Sequence, residues 1–227
     1  MSVAPLRQAP SPMRVAVLVS GNGSNLQVLI DAMQSGALPI DIVGIISNRE
    51  DAYAITRAQQ AGIPVAVLSH TASGKRMAIK TFERHASEQL QQWQPDLIVL
   101  AGFMRVVSAE FIDKRIAPMV NLHPALLPAY KGLDTHQRVI QAGDSHHGCS
   151  VHVVTAELDA GQVLTQGVLS VGAKDTATSL QARVQKIEHK LLPWTLLLLA
   201  KGVLTINERY LQDTESYLPT LPLKLLL

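Results

Sequence analysis

The stretch VAVLVSGNGSNLQVLIDAMQ, residues 15–34, decides how this chain is read. VAVLV is a continuous β-branched and apolar run, the pattern of a strand buried on both faces. SGNGSN follows, with two glycines in six residues. Leu26, Leu29, Ile30 and Met33 then recur at helical spacing. A strand, a glycine-rich turn and a helix in immediate succession make the opening unit of an open α/β sheet.

The rhythm repeats downstream. Residues 40–47, 64–68, 96–102 and 118–123 read as strands; 52–61, 76–93 and 108–115 read as helices. Near-solid apolar strands alternating with helices predict a Rossmann-like open α/β sheet, mostly parallel, with helices on both faces. After residue 123 the pattern changes. GCSVHVVT (148–155) and QVLTQGVLSV (162–171) alternate and are separated by AELDAG, a hairpin-like pair that predicts an antiparallel C-terminal part. Residues 176–200 read as a long helix, and its apolar stretch near Pro193 is too short to span a bilayer. The organisation expected is a flexible tail over 1–12, a single domain over 13–210, and a C-terminal tail over 211–227 whose leucines have no assigned place.

A chain of 227 residues suits one large domain. Its 47% hydrophobic and 17% charged content is that of an ordinary folded protein. The formal net charge of +2, with no basic cluster, does not read as a nucleic-acid footprint. The single cysteine, Cys149, forms no internal disulfide, and the N-terminal residues lack a signal-peptide core, so a cytoplasmic protein is expected.

The turn Ser20–Asn25 lies where open α/β sheets bind ligands, outside the carboxyl ends of their strands. Glycines let backbone N–H groups approach an anion, and a helix N-terminus adds unpaired donors. The plainer alternative is a tight turn with Ser24 or Asn25 capping the helix. A P-loop needs Gly-Lys-Ser/Thr, which is absent. The dinucleotide fingerprint wants Gly or Ala where Leu26 stands, and an acid where the second strand ends on Asn48-Arg49. A monophosphate is therefore the anion expected.

The stretch MVNLHPALLPAYKGLDTHQ (119–137) ends an apolar strand on Asn121 and His123, and Pro124 and Pro128 stop its continuation. Five of the eight histidines fall between 123 and 152, but scattered over strand ends and loops rather than at zinc-ligand spacing, so no metal is expected. Cys149, inside an apolar strand, reads as an inert thiol. His136 and His152 read equally as structural imidazoles. Asn121, His123 and Asp159 together suit acyl transfer. An amide and an imidazolium supply donors to an oxygen turning negative, and a carboxylate orients the imidazole and raises its pKa. No covalent nucleophile is needed if the substrate brings an amine.

SGNGSNLQVLID, LAGFMRVVS, NLHPALLPAYKGLDTHQ, HGCSVHVVTAELDAGQVLTQ and ARVQKIEHKLLP together resemble the phosphoribosylglycinamide formyltransferases, formyltetrahydrofolate-dependent enzymes of purine biosynthesis, from about Val15 to Tyr210. The resemblance implies transfer of a formyl group from 10-formyltetrahydrofolate to a ribonucleotide amine. Gly23, Ser24 and Asn25 would hold the phosphate and Glu188 the ribose side. Asn121 and His123 would stabilise the oxyanion, with Asp159 raising the pKa of His123. Met104, Arg105, Val106, Val107 and Asn121 would meet the folate. Where the family usually has a folate-contacting Arg, this chain has Ile79, with Lys80 or Arg76 as substitutes. Formyltetrahydrofolate hydrolase and methionyl-tRNA formyltransferase share the NLHPALLP and HGCSVHVVTAELDAG motifs. The glycine turn, and the mere dozen or so residues before Val15, favour the ribonucleotide acceptor. A non-catalytic nucleotide-binding module would have no use for Asn121, His123 and Asp159.

Overall fold

The computed structural model describes residues 11–69, 78–114, 116–206 and 223–226. The amino half alternates as the apolar runs predict: β1 (Met13–Val19), α1 (Ser24–Gln34), β2 (Ile40–Ser47), α2 (Tyr53–Gln60), β3 (Val65–Val67), α3 (Ile79–Trp93), β4 (Leu97–Leu100), α4 (Ala109–Asp113) and β5 (Met119–His123). Then come α5 (Thr135–Ala142), β6 (His146–Val153), β7 (Val163–Ser170), α6 (Ala177–Ala200) and β8 (Leu223–Leu226). The sheet order is β3-β2-β1-β4-β5-β6-β7-β8. β1 pairs in parallel with both β2 and β4, and β4 with β5. The chain turns antiparallel at β5·β6 and β6·β7, as the alternating pair predicts.

Strand β1 shows why a solid apolar run marks a central strand. Val15 through Val19 are all fully buried, and successive side chains point to opposite faces. Val15, Val17 and Val19 join the core with α1, α2 and α6; Ala16 and Leu18 join the one built on Phe82, Ala86 and Leu90 of α3. Each such Val or Leu contributes about 1.5–3 kcal/mol relative to exposure. Because the order reverses between β2·β1 and β1·β4, the turn after β1 and the ends of β4 and β5 open at one edge.

Two features escape the sequence pattern. The 128–148 segment, to which the sequence pattern assigns no element, contains α5. Only Thr135 and Val139 of this short helix are fully buried, and Asp134 precedes it in a left-handed conformation without a side-chain cap. The leucines of the unplaced tail include β8, which pairs in parallel with β7 over Thr165–Val168. Its four residues are the part of the 211–227 tail that the structure describes; most of the 1–12 tail, along with Arg76, Met77 and Arg115 at predicted helix ends, lies outside the described residues. Helix α6 runs through Pro193 as the long-helix reading expects, with Leu191, Leu192, Thr195 and Leu196 buried around it. Among the described residues no helix is long and apolar enough to cross a membrane.

The β1·β2 register shifts between Val15 and Ala16, where pairing passes from Ile42 to Gly44. The Trp93 ring presses on Gly44, so a Cβ there would lie 2.5 Å from ring carbons. Gly44→Ala is expected to lower stability by about 1–3 kcal/mol, the scale of overpacking. Urea unfolding checks this; an unchanged midpoint would contradict the packing described.

Candidate active site

The glycine turn is shaped by close packing rather than by a side-chain cap. Gly23, not Ser24 or Asn25, occupies the N-cap of α1, with φ 73°, and a Cβ on it would meet Ala54 Cβ at 2.6 Å. Glycine fits both the left-handed conformation and the close approach. Ser24 and Asn25 do not cap because α6 engages them. Gln185 Nε2 donates to Ser24 Oγ at 3.1 Å, and Asn25 Nδ2 to Glu188 Oε2 at 3.0 Å. The first turn of α1 contains no acid and makes no side-chain cap bond, so its N–H groups and dipole face outward. Asn25 Oδ1 is buried without a partner, and burial raises the Glu188 carboxyl above its ordinary range, partly offset by Asn25.

At the ends of β5 and β6 three remote segments meet. Asn121 and His152 are register partners on adjacent strands, and Asn121 Nδ2 lies 3.1 Å from His152 Nε2. His123 Nδ1 is 3.4 Å from Asp159 Oδ2, and His152 Nε2 is 3.6 Å from Asp159 Oδ1. Asp159 itself has φ 49° and accepts a 2.9 Å bond from the Gly132 amide. Aspartate tolerates the left-handed region better than most residues. The carboxylate is thereby turned inward, with its side chain only 8% exposed.

Hydrogen-bond partners assign the tautomers. The Tyr130 carbonyl, 2.9 Å from His123 Nε2, can only accept, so Nε2 carries a proton. The Val153 carbonyl likewise places a proton on His152 Nδ1, leaving Nε2 to accept from the Asn121 amide. Burial lowers the pKa of His123 below its usual value; the Tyr130 carbonyl and Asp159 pull it upward without reversing the shift. The expectation that Asp159 raises this pKa thus holds for the carboxylate's own influence, while the net direction is set by desolvation. Burial by itself would raise the Asp159 carboxyl, but His152 beside it, the bond from the Gly132 amide and the His123 imidazole bring it below the ordinary range.

These groups line the wall of a cavity of about 710 Å³. Asn121, His123 and Asp159 share it with Met104, Arg105, Val106 and Val107, and with Gln181 near the start of α6. Met104, Val106, Leu133 and Leu158 stand exposed around it. Arg105 is steadied by Phe82, its guanidinium 5.1 Å from the ring centre. The glycine turn and Glu188 do not line this cavity; α6 joins the two places, with Gln181 in the wall and Gln185 and Glu188 on the turn. Lys80 is exposed in the first turn of α3 and does not line the cavity.

A profile of the family described as formyl transferase matches residues 13–196. The phosphoribosylglycinamide formyltransferase of Escherichia coli K12 is 41% identical over 196 residues, covering 86% of this chain and 91% of that protein. The chain belongs to the phosphoribosylglycinamide formyltransferase family. The same-named protein of Coxiella burnetii, solved with CHES, superposes with a TM-score of 0.80 at 43% identity, covering 87% of this chain and 91% of that one. Glycinamide ribonucleotide transformylase 1 of Symbiobacterium toebii gives a TM-score of 0.81 at 34% identity, covering 92% and 97%. The bovine trifunctional purine biosynthetic protein adenosine-3 is 41% identical over 88% of this chain, which spans 19% of that longer protein.

In this formyltransferase-family chain, His152, which sequence reading left equally open as a structural imidazole, holds Asn121 and faces Asp159; its place in the HGCSVHV stretch of β6 was the available signal. His136, in the cavity wall, also pairs with His147, Nδ1 to Nε2 at 3.0 Å. Cys149 is fully buried, with burial pushing its thiol pKa well up, as an inert thiol requires. Among the described residues no group of three or more His, Cys, Asp or Glu side chains is arranged to hold a metal ion.

Burial, followed by the charge of His136, lowers the His147 pKa from 6.5 to about 4. An unfolded chain with an ordinary histidine then binds more protons than the folded one between these values. The stabilisation is complete above about pH 6.5 and is lost as pH falls towards 4. On the order of 2–3 kcal/mol of acid-linked stability resides in this ring. His147→Gln is expected to flatten the dependence of urea midpoint on pH across that window; an unaltered slope would contradict the burial argument.

Proposed function

We propose that this protein transfers the formyl group of 10-formyltetrahydrofolate to the amine of phosphoribosylglycinamide in purine biosynthesis. The single observation that carries the reading is the convergence of Asn121, His123 and Asp159 on the wall of one large cavity. The family relationship names the substrates of its relatives; the geometry gives each group here a task.

Gly23, Ser24 and Asn25 hold the phosphate at the N-terminus of α1, where backbone donors and the helix dipole favour an anion. Glu188 faces the ribose side. The substrate's amine attacks the formyl carbon, and negative charge grows on the formyl oxygen. Asn121 donates to that oxygen, its amide held by His152. His123 Nε2–H turns from the Tyr130 carbonyl to the same oxygen. As an imidazolium, with Asp159 facing Nδ1, it delivers the Nε2 proton to that oxygen, and the proton released by the attacking amine restores it.

The folate fits the cavity on physical grounds. A volume of about 710 Å³ lies within the range of small-ligand sites, and Met104, Val106 and Val107 offer apolar contact beside Arg105. Lys80, exposed on α3 and outside the cavity wall, is retained only as a contact for the donor's distal part. The same reading assigns no metal, nucleic acid or membrane partner, and a cytoplasmic location. Nothing observed favours the hydrolase or the non-catalytic module over it.

Incubation with phosphoribosylglycinamide and 10-formyltetrahydrofolate is expected to yield the formylated ribonucleotide; no product, or formate release independent of the amine, would overturn the proposal. His123→Ala and Asp159→Ala are each expected to lower kcat roughly 100-fold or more, the scale for losing a general acid or an oxyanion donor. Steady-state rates close to wild type in either variant would remove that residue from the mechanism.

A further inference from the structure

The loop after β4 carries the cavity residues Met104–Val107, yet its fixing points lie elsewhere. Phe103 stacks on Phe82 of α3 with ring centres 5.7 Å apart. At its far end, Glu83 of α3, 4% exposed, accepts from the Ser108 amide at 2.6 Å and the Ser108 hydroxyl at 2.7 Å. At its near end, the Met104 amide donates to Ser20 Oγ at 2.7 Å. Ser20 is also 4% exposed, so neither a ribonucleotide nor a folate reaches it directly. It is, however, the first residue of the glycine turn, directly before Gly21, whose carbonyl accepts from the Ala54 amide at 3.1 Å. Met104 itself is 73% exposed. One buried hydroxyl therefore ties the anion-binding turn to the backbone that presents the folate-facing side chains.

We infer that Ser20 is a positioning residue that couples the two substrate subsites, so that occupation of the glycine turn sets the loop for the folate. This rests on the functional reading above and goes beyond it. Any shift or ordering of the turn on binding a phosphate is passed through a short hydrogen bond to the Met104 amide. Coupling of this kind is reciprocal: a folate bound against Met104 and Val106 tightens the ribonucleotide by the same factor. Glu83 holds the same loop from α3 without touching the turn. It serves the loop's geometry but not the coupling.

Tetrahydrofolate, which has no formyl group to transfer, allows both sites to be filled without turnover. Calorimetric titration of the full chain with tetrahydrofolate, with and without saturating phosphoribosylglycinamide, gives the coupling factor. The wild-type protein is expected to show a factor of about five or more. In Ser20→Ala that factor falls towards one and the KM for 10-formyltetrahydrofolate rises more than kcat falls. Glu83→Gln weakens tetrahydrofolate but leaves the factor unchanged. Ser20→Cys, close in size and a poorer acceptor, shifts the factor the same way and serves if the alanine variant does not fold. A factor of one in the wild type, or an undiminished factor in a folded Ser20 variant, overturns the inference. Failure of the wild type to bind phosphoribosylglycinamide would instead overturn the functional reading.

Discussion

Asp159 is the group on which the site's geometry depends. Its carboxylate lies 3.4 Å from one imidazole and 3.6 Å from another, on two adjacent strands, and it takes the Gly132 amide from the connection ahead of α5. Burying a carboxylate is costly unless it is bonded and faced by groups that become cationic. Here three chain segments supply those partners, so the desolvation cost itself favours their convergence. The left-handed backbone at residue 159 aims the oxygens inward, and the same bonds hold the wall of the cavity in place.

The sheet supplies the platform. Reversal of strand order around β1 opens one edge of the sheet, and the glycine turn, the β4 loop and the end of β5 all project there. Helix α6 spans the region, offering Gln181 to the cavity and Gln185 and Glu188 to the turn. On the proposed reading, a phosphate at the turn and a carbonyl beside Asn121 and His123 would be addressed from one rigid scaffold. Side chains carried by strands and a long helix hold their positions better than side chains on free loops.

Much of the fold was legible because burial leaves a local trace. The solid run Val15–Val19 announced a central strand, and the alternation after residue 146 announced the antiparallel pair. Helix α5 left little trace because few of its residues enter the core. The tail leucines could not be placed because a strand's partner is chosen by the open edge of β7, which local periodicity does not describe. In the site, Asn121, His123 and Asp159 were chosen by chemical type and do meet. His152 was left ambiguous, since an imidazole's role depends on what stands across the strand. Lys80 was named by proximity along the chain to Ile79, and the first turn of α3 leaves it exposed, outside the cavity wall.

The sequence by itself determined the order of strands and helices, the position of the glycine turn between the first pair, and the set of groups able to serve acyl transfer, because hydrophobic periodicity and side-chain chemistry are properties of short stretches. Only the tertiary structure decided the state of those groups. It made His123 a histidine of lowered pKa, put Gly23 rather than a hydroxyl at the helix cap, and set Ser20 beneath Met104. Desolvation and hydrogen-bond partnership depend on neighbours up to 163 positions apart, as Asn25 and Glu188 are, and such neighbours exist only once the chain has folded.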